Sequence, residues 1–230
     1  MNSLKKILAI GILSINIYAL DIVYEPRSPY VTQINDSISG LVATPLIKAL
    51  DEAKITYNLK NQTSKKHLKE IERNQKEICA VGWFKNPKRE LFGKYTKPLY
   101  QDKPMGIIVN HKSDIKNNTD ISNLLKTNNY KVLIKDSYSY GKFLDDKLKN
   151  KKVKKTTTSN DKMASMIAKG RADFMFISYE EATSIMKNNK YKSKLQYISL
   201  KGMPEGNKRY LICSKKVSDR IIEQLNKYIK

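Results

Sequence analysis

The amino-acid sequence predicts a mixed α/β protein made of two lobes. Short apolar runs alternate with amphipathic stretches along the 230 residues, as in strand–helix repeats packed around a covered sheet. The alternation stops in a loop-like segment at 84–100 and then restarts, which predicts a second α/β unit. A strand and a helix remain after the second unit, and we expect them to return to the first lobe.

The first 19 residues have the pattern of a secretory signal peptide. Lys5 and Lys6 precede the apolar run 7–13, and Ala19 is the small residue at the expected cleavage position. The run is shorter than the roughly 20 apolar residues that cross a bilayer. We therefore predict cleavage after Ala19 and export to the periplasm, with an uncleaved N-terminal anchor as the alternative.

The first lobe is predicted from apolar strands that alternate with amphipathic helices. Residues 78–84 are almost continuously apolar, as in a parallel strand that is covered on both faces. Pro45 interrupts the first helical pattern, where we expect a turn or kink. The predicted elements are strands at 21–24, 55–59 and 78–84, and helices at 37–53 and 64–75.

The second unit repeats this alternation from residue 105 onward. Asp120 and Ser218 are placed to cap the helices that follow them, and Gly170 is placed to end another. The predicted strands are 105–109, 131–135, 153–158, 172–178, 195–200 and 209–214, and the predicted helices are 121–126, 139–148, 161–169, 179–187 and 218–229.

The last strand and helix decide the domain organisation. We assign 20–100 and 205–230 to lobe I and 101–204 to lobe II. Two connections then cross between the lobes, near 97–103 and 200–207.

The chain is strongly basic, with 44 Lys and Arg against 22 Asp and Glu and a formal net charge of +22. A polyanionic partner, either nucleic acid or an anionic membrane surface, is one interpretation. Lysine greatly outnumbers arginine, however, and is spread along the whole chain, which is typical of a compositional habit. We therefore expect no nucleic-acid partner, and a charge that attracts anionic surfaces and solutes.

The two cysteines, Cys79 and Cys213, allow one disulfide in an oxidising compartment. Two buried thiols are the alternative. Neither cysteine belongs to a Cys-x-x-Cys pair, so a zinc site or a thioredoxin-type redox site has little support.

No catalytic or cofactor motif stands out. The sequence contains no phosphate loop, no dinucleotide fingerprint and no metal-ligand spacing, and we expect no cofactor. His67 and His111 lie near no arrangement of nucleophile and orienting residue, and we predict that both are surface histidines. These observations favour a binding protein over an enzyme.

Four motifs follow one another along the chain. Residues 82–92 (GWFKNPKRELF) place an arginine shortly after the third strand, and 95–100 (YTKPLY) lead into the crossover. The other two are 26–30 (PRSPY), followed by Gly40, and 170–176 (GRADFMF). In their order along the chain and in their spacing, the four motifs resemble family 3 of the bacterial extracellular solute-binding proteins, the polar amino-acid type. The resemblance covers about residues 21–230.

The resemblance implies a two-lobed periplasmic-binding-protein-like fold of type II, with two α/β sandwich lobes joined by a two-segment hinge. By resemblance Arg89 takes a ligand carboxylate in a charge-assisted pair. The alternative for this side chain is a surface salt bridge, for example with Glu90. The implied ligand-binding residues are Arg27, Tyr30, Gly82, Trp83 and Arg89 in the first lobe and Ser137, Tyr138 and Ser178 in the second.

One departure from the family concerns Ser178. Amino-acid binders of the family place an acid at this position to pair with the ligand ammonium, and serine cannot supply that charge. Glu180 or Glu181 could reach the ligand instead, or could be ordinary acids at a helix N-terminus. A carboxylate without an ammonium group is therefore an alternative ligand.

The resemblance implies a monomeric periplasmic receptor that delivers a small carboxylate-bearing solute to an inner-membrane ABC permease. The solute would be an amino acid or a related organic acid. Two alternatives stay open. One is a dehydratase or lyase on the same scaffold that uses Glu180 or Glu181 as its acid. The other is a ligand-sensing module for a membrane signalling partner.

Overall fold

The structure is a computed structural model that describes residues 19–126, 129–136 and 138–230. Almost all of the predicted signal peptide, residues 1–18, lies outside the described residues. The described elements form two α/β units, each built around its own sheet.

The first unit contains most of the N-terminal elements. In chain order they are β1 (Leu20–Tyr24), β2 (Thr32–Ile34), β3 (Ser37–Ser39), α1 (Ala43–Glu52), β4 (Tyr57–Asn61), α2 (Ser64–Arg73), β5 (Ile78–Phe84), α3 (Pro87–Glu90), β6 (Gly93–Tyr95) and β7 (Tyr100–Gln101).

The second unit follows, and the chain then returns to the first. Its elements are β8 (Gly106–Asn110), β9 (Thr119–Asp120), α4 (Ile121–Lys126), β10 (Val132–Lys135), α5 (Lys142–Leu148), β11 (Val153–Thr156), α6 (Asn160–Ala168), β12 (Phe174–Ile177), α7 (Tyr179–Met186), α8 (Asn189–Lys192), β13 (Leu195–Ile198) and β14 (Leu200–Lys201). The returning elements are β15 (Lys208–Ser214) and α9 (Asp219–Tyr228).

The two sheets have similar strand patterns. The order in the first is β4-β1-β5-β15-β6, with β7 also paired to β15, and only the pairs β1–β4 and β1–β5 are parallel in it. The order in the second is β11-β10-β12-β8-β13, with β10 parallel to both of its neighbours. The chain passes between the sheets twice, through 102–105 and through 202–207.

Each sheet is buried on both faces, which explains why its central strands are continuously apolar. In β1, Ile22 packs with α1 and α9 on one face, while Val23 packs with α2 on the other. In β8, Ile107 faces the cluster that contains α4 and α5, while Ile108 faces the cluster that contains α6 and α7.

Two predicted helices begin later than the sequence pattern indicates. Helix α1 begins at Ala43 because residues 32–39 form the β2–β3 hairpin. Pro45 therefore lies in the first turn, where its missing N–H removes no helical hydrogen bond, and it does not break the helix. Helix α5 begins at Lys142, because the hydroxyl of Ser139 and the backbone N–H of Tyr140 donate to the carboxylate of Asp145.

The segment predicted as a loop at 84–100 contains short elements. Helix α3 forms here because Pro87 occupies its first turn and the side chain of Asn86 caps it. Strands β6 and β7 pair with the returning strand β15, a partner that is more than 100 residues away in the chain.

Cys79 and Cys213 lie opposite each other on β5 and β15 and form a disulfide, with their sulfur atoms 1.99 Å apart. Both residues are fully buried in the core of the first unit. Because 134 residues separate them along the chain, the bond closes a loop that contains the whole second sheet.

We expect the disulfide to stabilise the protein by about 2 to 5 kcal/mol, because it restricts the unfolded chain. Reductant should lower the midpoint of urea unfolding, followed by circular dichroism, in the wild-type protein. The double variant Cys79→Ala/Cys213→Ala should unfold at a lower urea concentration and should not respond to reductant. Alkylation of two thiols in the unfolded, unreduced protein would contradict the bond.

Candidate functional site

A cavity of about 130 Å³ lies between the two sheets. An apolar cavity of about 150 Å³ accommodates benzene, so the space suits a ligand of roughly that size. Several of its walls are loops at the carboxyl ends of strands, which is where α/β proteins bind ligands. Its polar, charged and aromatic lining includes Glu25, Arg27, Tyr30, Ser64, His67, Trp83, Phe84, Arg89, Lys135, Tyr138, Ser139, Ser159, Asn160, Glu181 and Arg209.

A bulge in β5 shapes the first-lobe wall. On β15, Tyr210 lies opposite Trp83 and Leu211 opposite Val81, so Gly82 is left without a partner. Gly82 has a φ of 81°, a conformation that residues with side chains rarely adopt. A bulge changes the direction of the side chains that follow it. Both Gly82 and Trp83 line the cavity.

Arg89 lies on helix α3 and lines the cavity with 7% of its surface exposed. Its Nη1 donates to the carbonyl of Phe84 at 2.8 Å, and its guanidinium carbon lies 4.7 Å from the centre of the Trp83 ring. Burial lowers the pKa of the Arg89 guanidinium, although an arginine remains charged in any protein environment. The side chain is therefore a positive charge held against an aromatic wall.

Arg89 does not form the surface salt bridge that was its alternative role. Glu90 pairs with Lys85 at 3.0 Å instead. Within residues 19–126, 129–136 and 138–230, Arg89 makes no salt bridge with any carboxylate. Its charge thus lies at the cavity wall without an anionic partner from the described protein.

Arg27 and Glu181 form a bidentate ion pair across the cavity. Nε and Nη2 of Arg27 donate to the two carboxylate oxygens of Glu181 at 2.9 and 2.6 Å. The Glu181 side chain is only 4% exposed. Burial alone would raise the pKa of the Glu181 carboxyl, but the ion pair with Arg27 lowers it overall. The pair joins the loop after β1 to the start of α7.

Tyr30 makes a second contact between the lobes. Its hydroxyl lies 2.5 Å from the hydroxyl of Ser178. The turn that carries Tyr30 packs on Gly40, where a Cβ atom would lie 2.5 Å from the carbonyl oxygen of Pro29. Ser178 lines a smaller adjoining pocket of about 30 Å³ and not the main cavity.

Tyr138 lies on the second-lobe wall. Its hydroxyl is 3.2 Å from that of Ser64, and its ring lies beneath the charged groups of Arg27 and Lys135, at 5.3 and 4.3 Å. Burial would raise the pKa of Tyr138, but these two cations lower it overall. Ser137, predicted beside it, lies outside the described residues.

A buried ion pair lies where the two connections run side by side. Nε and Nη2 of Arg209 donate to Asp102 at 2.7 and 2.8 Å, and the backbone N–H of Asp102 donates to the carbonyl of Asn207 at 3.0 Å. The Arg209 guanidinium stacks on the Tyr30 ring at 3.6 Å. Burial raises the pKa of the Asp102 carboxyl, and Arg209 opposes that increase.

The prediction that His67 is a surface histidine is wrong. Its ring is 1% exposed, lines the cavity and meets the Trp83 ring edge to face, because this side of α2 packs on the sheet. Neither ring nitrogen has a hydrogen-bond partner among the described residues. Burial lowers the pKa of His67 to about 4, so the ring is neutral at pH 7. His111 is exposed, as predicted.

Glu25 is the other acid of the cavity wall. It accepts hydrogen bonds from the backbone N–H of Ser64, at 2.9 Å, and from the Ser64 hydroxyl. Burial would raise the pKa of the Glu25 carboxyl, but the bonds from Ser64 and the nearby charge of Lys135 lower it overall.

The structure brings most of the predicted site residues to one cavity, namely Arg27, Tyr30, Gly82, Trp83, Arg89 and Tyr138. Glu25, Lys135 and Arg209 also line the cavity and were not predicted from the sequence. The first two stand at the carboxyl ends of β1 and β10, a position that could have indicated them. Arg209 lies on an antiparallel strand and had no such signal.

Glu180, one of the two candidate acids for an enzyme, does not line the cavity. Its carboxylate accepts from the Tyr100 hydroxyl and from the backbone N–H of Lys103, beside the connections between the lobes. Glu181, the other candidate, is ion-paired with Arg27.

Neither a metal cluster nor a membrane span is found in the part of the chain that the structure describes. No group of three or more His, Cys, Asp or Glu there could hold a metal ion. No helix there is long and apolar enough to cross a membrane.

Comparisons with known proteins bear on the fold. No protein-family model and no curated protein matches the sequence. The structure matches a histidine kinase sensor domain with similarity to periplasmic binding proteins, with a TM-score of 0.73, 13% identity and coverage of 92% of this chain and 88% of that one. The chain has the two-lobed periplasmic-binding-protein-like fold. This confirms the predicted fold class.

Two further structures share this binding-protein fold. One is the substrate-binding protein of an amino acid ABC transporter, with a TM-score of 0.70, 14% identity and coverage of 92% of each chain. The other is the arginine-, lysine- and histidine-binding protein ArtJ from Geobacillus stearothermophilus, with a TM-score of 0.72, 18% identity and coverage of 92% of this chain and 88% of ArtJ.

The buried, neutral His67 should make the binding-protein fold sensitive to mild acid. Its pKa is about 4 in the folded protein and about 6.5 in an unfolded chain, so the unfolded state binds more protons between these values. The stability that depends on the neutral His67 ring is fully present above about pH 6.5 and is lost as the pH falls toward 4. We expect the free energy of unfolding to be about 2 kcal/mol lower at pH 5 than at pH 7.5 from this residue.

Urea unfolding at the two pH values measures this difference. His67→Phe should reduce the pH dependence by that amount. His111→Phe, which changes the other histidine of the chain, should leave it unchanged. An equal pH dependence in wild type and His67→Phe would contradict a neutral, buried ring.

Proposed function

We propose that this chain is a periplasmic solute-binding protein, related to family 3, that captures a small carboxylate-bearing ligand between its lobes for an ABC-type importer. The fold and the structural neighbours support a binding role, since two of those neighbours bind amino acids or serve an amino acid transporter. The predicted signal peptide supports a periplasmic location. We propose no catalytic activity, because Glu181 is ion-paired and Glu180 lies away from the cavity.

The observation that carries this proposal is the state of Arg89. Its guanidinium is buried at the cavity wall, stacks on Trp83 and lacks a carboxylate partner among the described side chains. A buried charge without a partner is costly in a folded protein. A ligand carboxylate would supply the missing anion through charge-assisted hydrogen bonds.

The connections between the lobes suit a hinge. We propose that 20–100 with 205–230 and 101–204 move as two bodies about the paired segments near Asp102 and Asn207. The cavity lining comes from both bodies, so a ligand can make its full set of contacts only in the closed form and will favour it.

We expect purified mature protein to bind at least one member of a panel of amino acids and small organic acids in isothermal titration calorimetry. Arg89→Met should weaken that binding by about 2 to 5 kcal/mol, roughly 30- to 4,000-fold in Kd, because it removes the charged partner and keeps most of the apolar stem.

Lys88→Met is the matched control for Arg89→Met. Lys88 is adjacent on α3 and exposed, so its loss changes the net charge equally without changing the cavity. Binding to the control should equal that of wild type. Equal losses in both variants, or no binding of any panel member to folded protein, would reject the proposal.

A sensor domain is the second candidate, because the histidine kinase sensor domain matches this chain as well as the substrate-binding protein of the amino acid ABC transporter does. Uptake of the radiolabelled ligand by cells with and without the gene for this protein separates an importer component from a sensor. If the protein is an importer component, cells without it should not take up the ligand. A sensor should leave uptake unchanged and should alter expression of other genes when the ligand is added.

A further inference from the structure

We propose that Arg27 occupies the cation subsite of this cavity, so that the ligand is a small organic acid without an ammonium group. The inference rests on the proposed binding function and names its ligand class. The observations behind it are the ion-pair and hydrogen-bond partners of the charged residues that line the cavity.

Glu181 is the acid that a ligand ammonium would be expected to meet in the second lobe. Both of its oxygens are held by Arg27, at 2.9 and 2.6 Å, and its side chain is 4% exposed. A bidentate guanidinium matches a carboxylate better than a single ammonium does. The protein therefore supplies from its first lobe the cation that an amino acid would otherwise bring.

Glu25, the remaining acid of the lining, is also satisfied. Ser64 donates both its backbone N–H and its hydroxyl to one of the carboxylate oxygens. Lys135, which lines the same cavity from the second lobe, is close enough to lower the pKa of the Glu25 carboxyl. Lys135 lies over the ring of Tyr138 at 4.3 Å, and the Tyr138 hydroxyl is 3.2 Å from that of Ser64, so a cation of this chain faces the same part of the lining as Glu25.

The positive charges of the lining outnumber the negative charges that face them by one. Arg27 pairs with Glu181 and Arg209 pairs with Asp102, which leaves Arg89 and Lys135 to face the single charge of Glu25. Arg89 makes no salt bridge with a carboxylate among the residues that the structure describes. A ligand with one negative charge would neutralise the cavity, and a zwitterion would leave it one charge in excess.

An amino acid could place its ammonium on Glu181 only by displacing Arg27. The displaced guanidinium would then lie beside the ammonium and without a carboxylate, next to a Glu181 side chain that is only 4% exposed. Like charges brought together in a desolvated site are strongly disfavoured. The geometry therefore discriminates against the amino group itself, whatever the rest of the ligand.

Matched pairs of acids test this directly. Isovalerate with valine and isocaproate with leucine each differ only by the α-amino group. We expect calorimetry with mature wild-type protein to show that, in any pair that binds, the acid without the amino group binds at least about tenfold more tightly.

Arg27→Met tests the role of the arginine. It frees Glu181 and should shift the affinity ratio toward the amino acid by at least about tenfold. The double variant Arg27→Met/Glu181→Gln removes both charges and should return the ratio toward the wild-type order. Thermal unfolding checks that each variant is folded. If Arg27→Met does not fold, Glu181→Gln is the substitute test. This variant retains the cation and should still bind the acid without the amino group more tightly than the amino acid.

The outcomes separate this inference from the proposed function. Tighter binding of the amino acids to wild type would overturn the inference and leave the binding function intact. If that binding were also lost in Glu25→Gln, Glu25 would be the ammonium subsite in place of Glu181. Binding of neither class to folded protein would overturn both.

Discussion

The guanidinium of Arg209 joins the connections between the lobes to the walls of the cavity. It pairs with Asp102 on the first connection and lies on β15, the strand that follows the second connection. It also stacks on the rings of Tyr30, at 3.6 Å, and Phe84, at 4.7 Å. Its Nη1 also reaches the carbonyl of Gly82 at 3.5 Å. A buried pair of this kind adds little net stability, but a single unpaired partner would be costly, so it strongly disfavours other arrangements of these segments. The position of the aromatic walls thus depends on a charge pair whose acid, Asp102, lies on a connection between the lobes and does not line the cavity.

The sequence was sufficient for the main elements of the fold because each of them has a local cause. Strands such as β5 and β12 are buried on both faces and are therefore continuously apolar, and α9 has a regular apolar stripe. The elements that it missed, among them α3 and β6, depend on a cap or on a strand more than 100 residues away. No pattern within a short window of sequence contains that information.

Some features of the candidate site could likewise be predicted from a local motif, and others could not. Arg89, Trp83 and Gly82 stand together after one strand, where a single motif could indicate all three. The pairing of Arg27 with Glu181 spans 154 residues, so the sequence could suggest each residue separately but not that one neutralises the other. His67 shows a different failure. It lies four residues before the buried Ile71 and so on the same helix face, but the surrounding lysines favoured a surface position.

The charge of the whole chain and the charge of the cavity act at different steps of binding. A net charge of +22 produces a positive field that raises the encounter rate for any anion, and salt screens it over about 10 Å. That field cannot distinguish an organic acid from an acidic amino acid of the same charge. Only groups in contact with the ligand can do so, and there the described lining is nearly balanced by its own pairs. Selectivity therefore depends on the few charges that the protein leaves for the ligand to complete, and the abundant surface lysines have little influence on it.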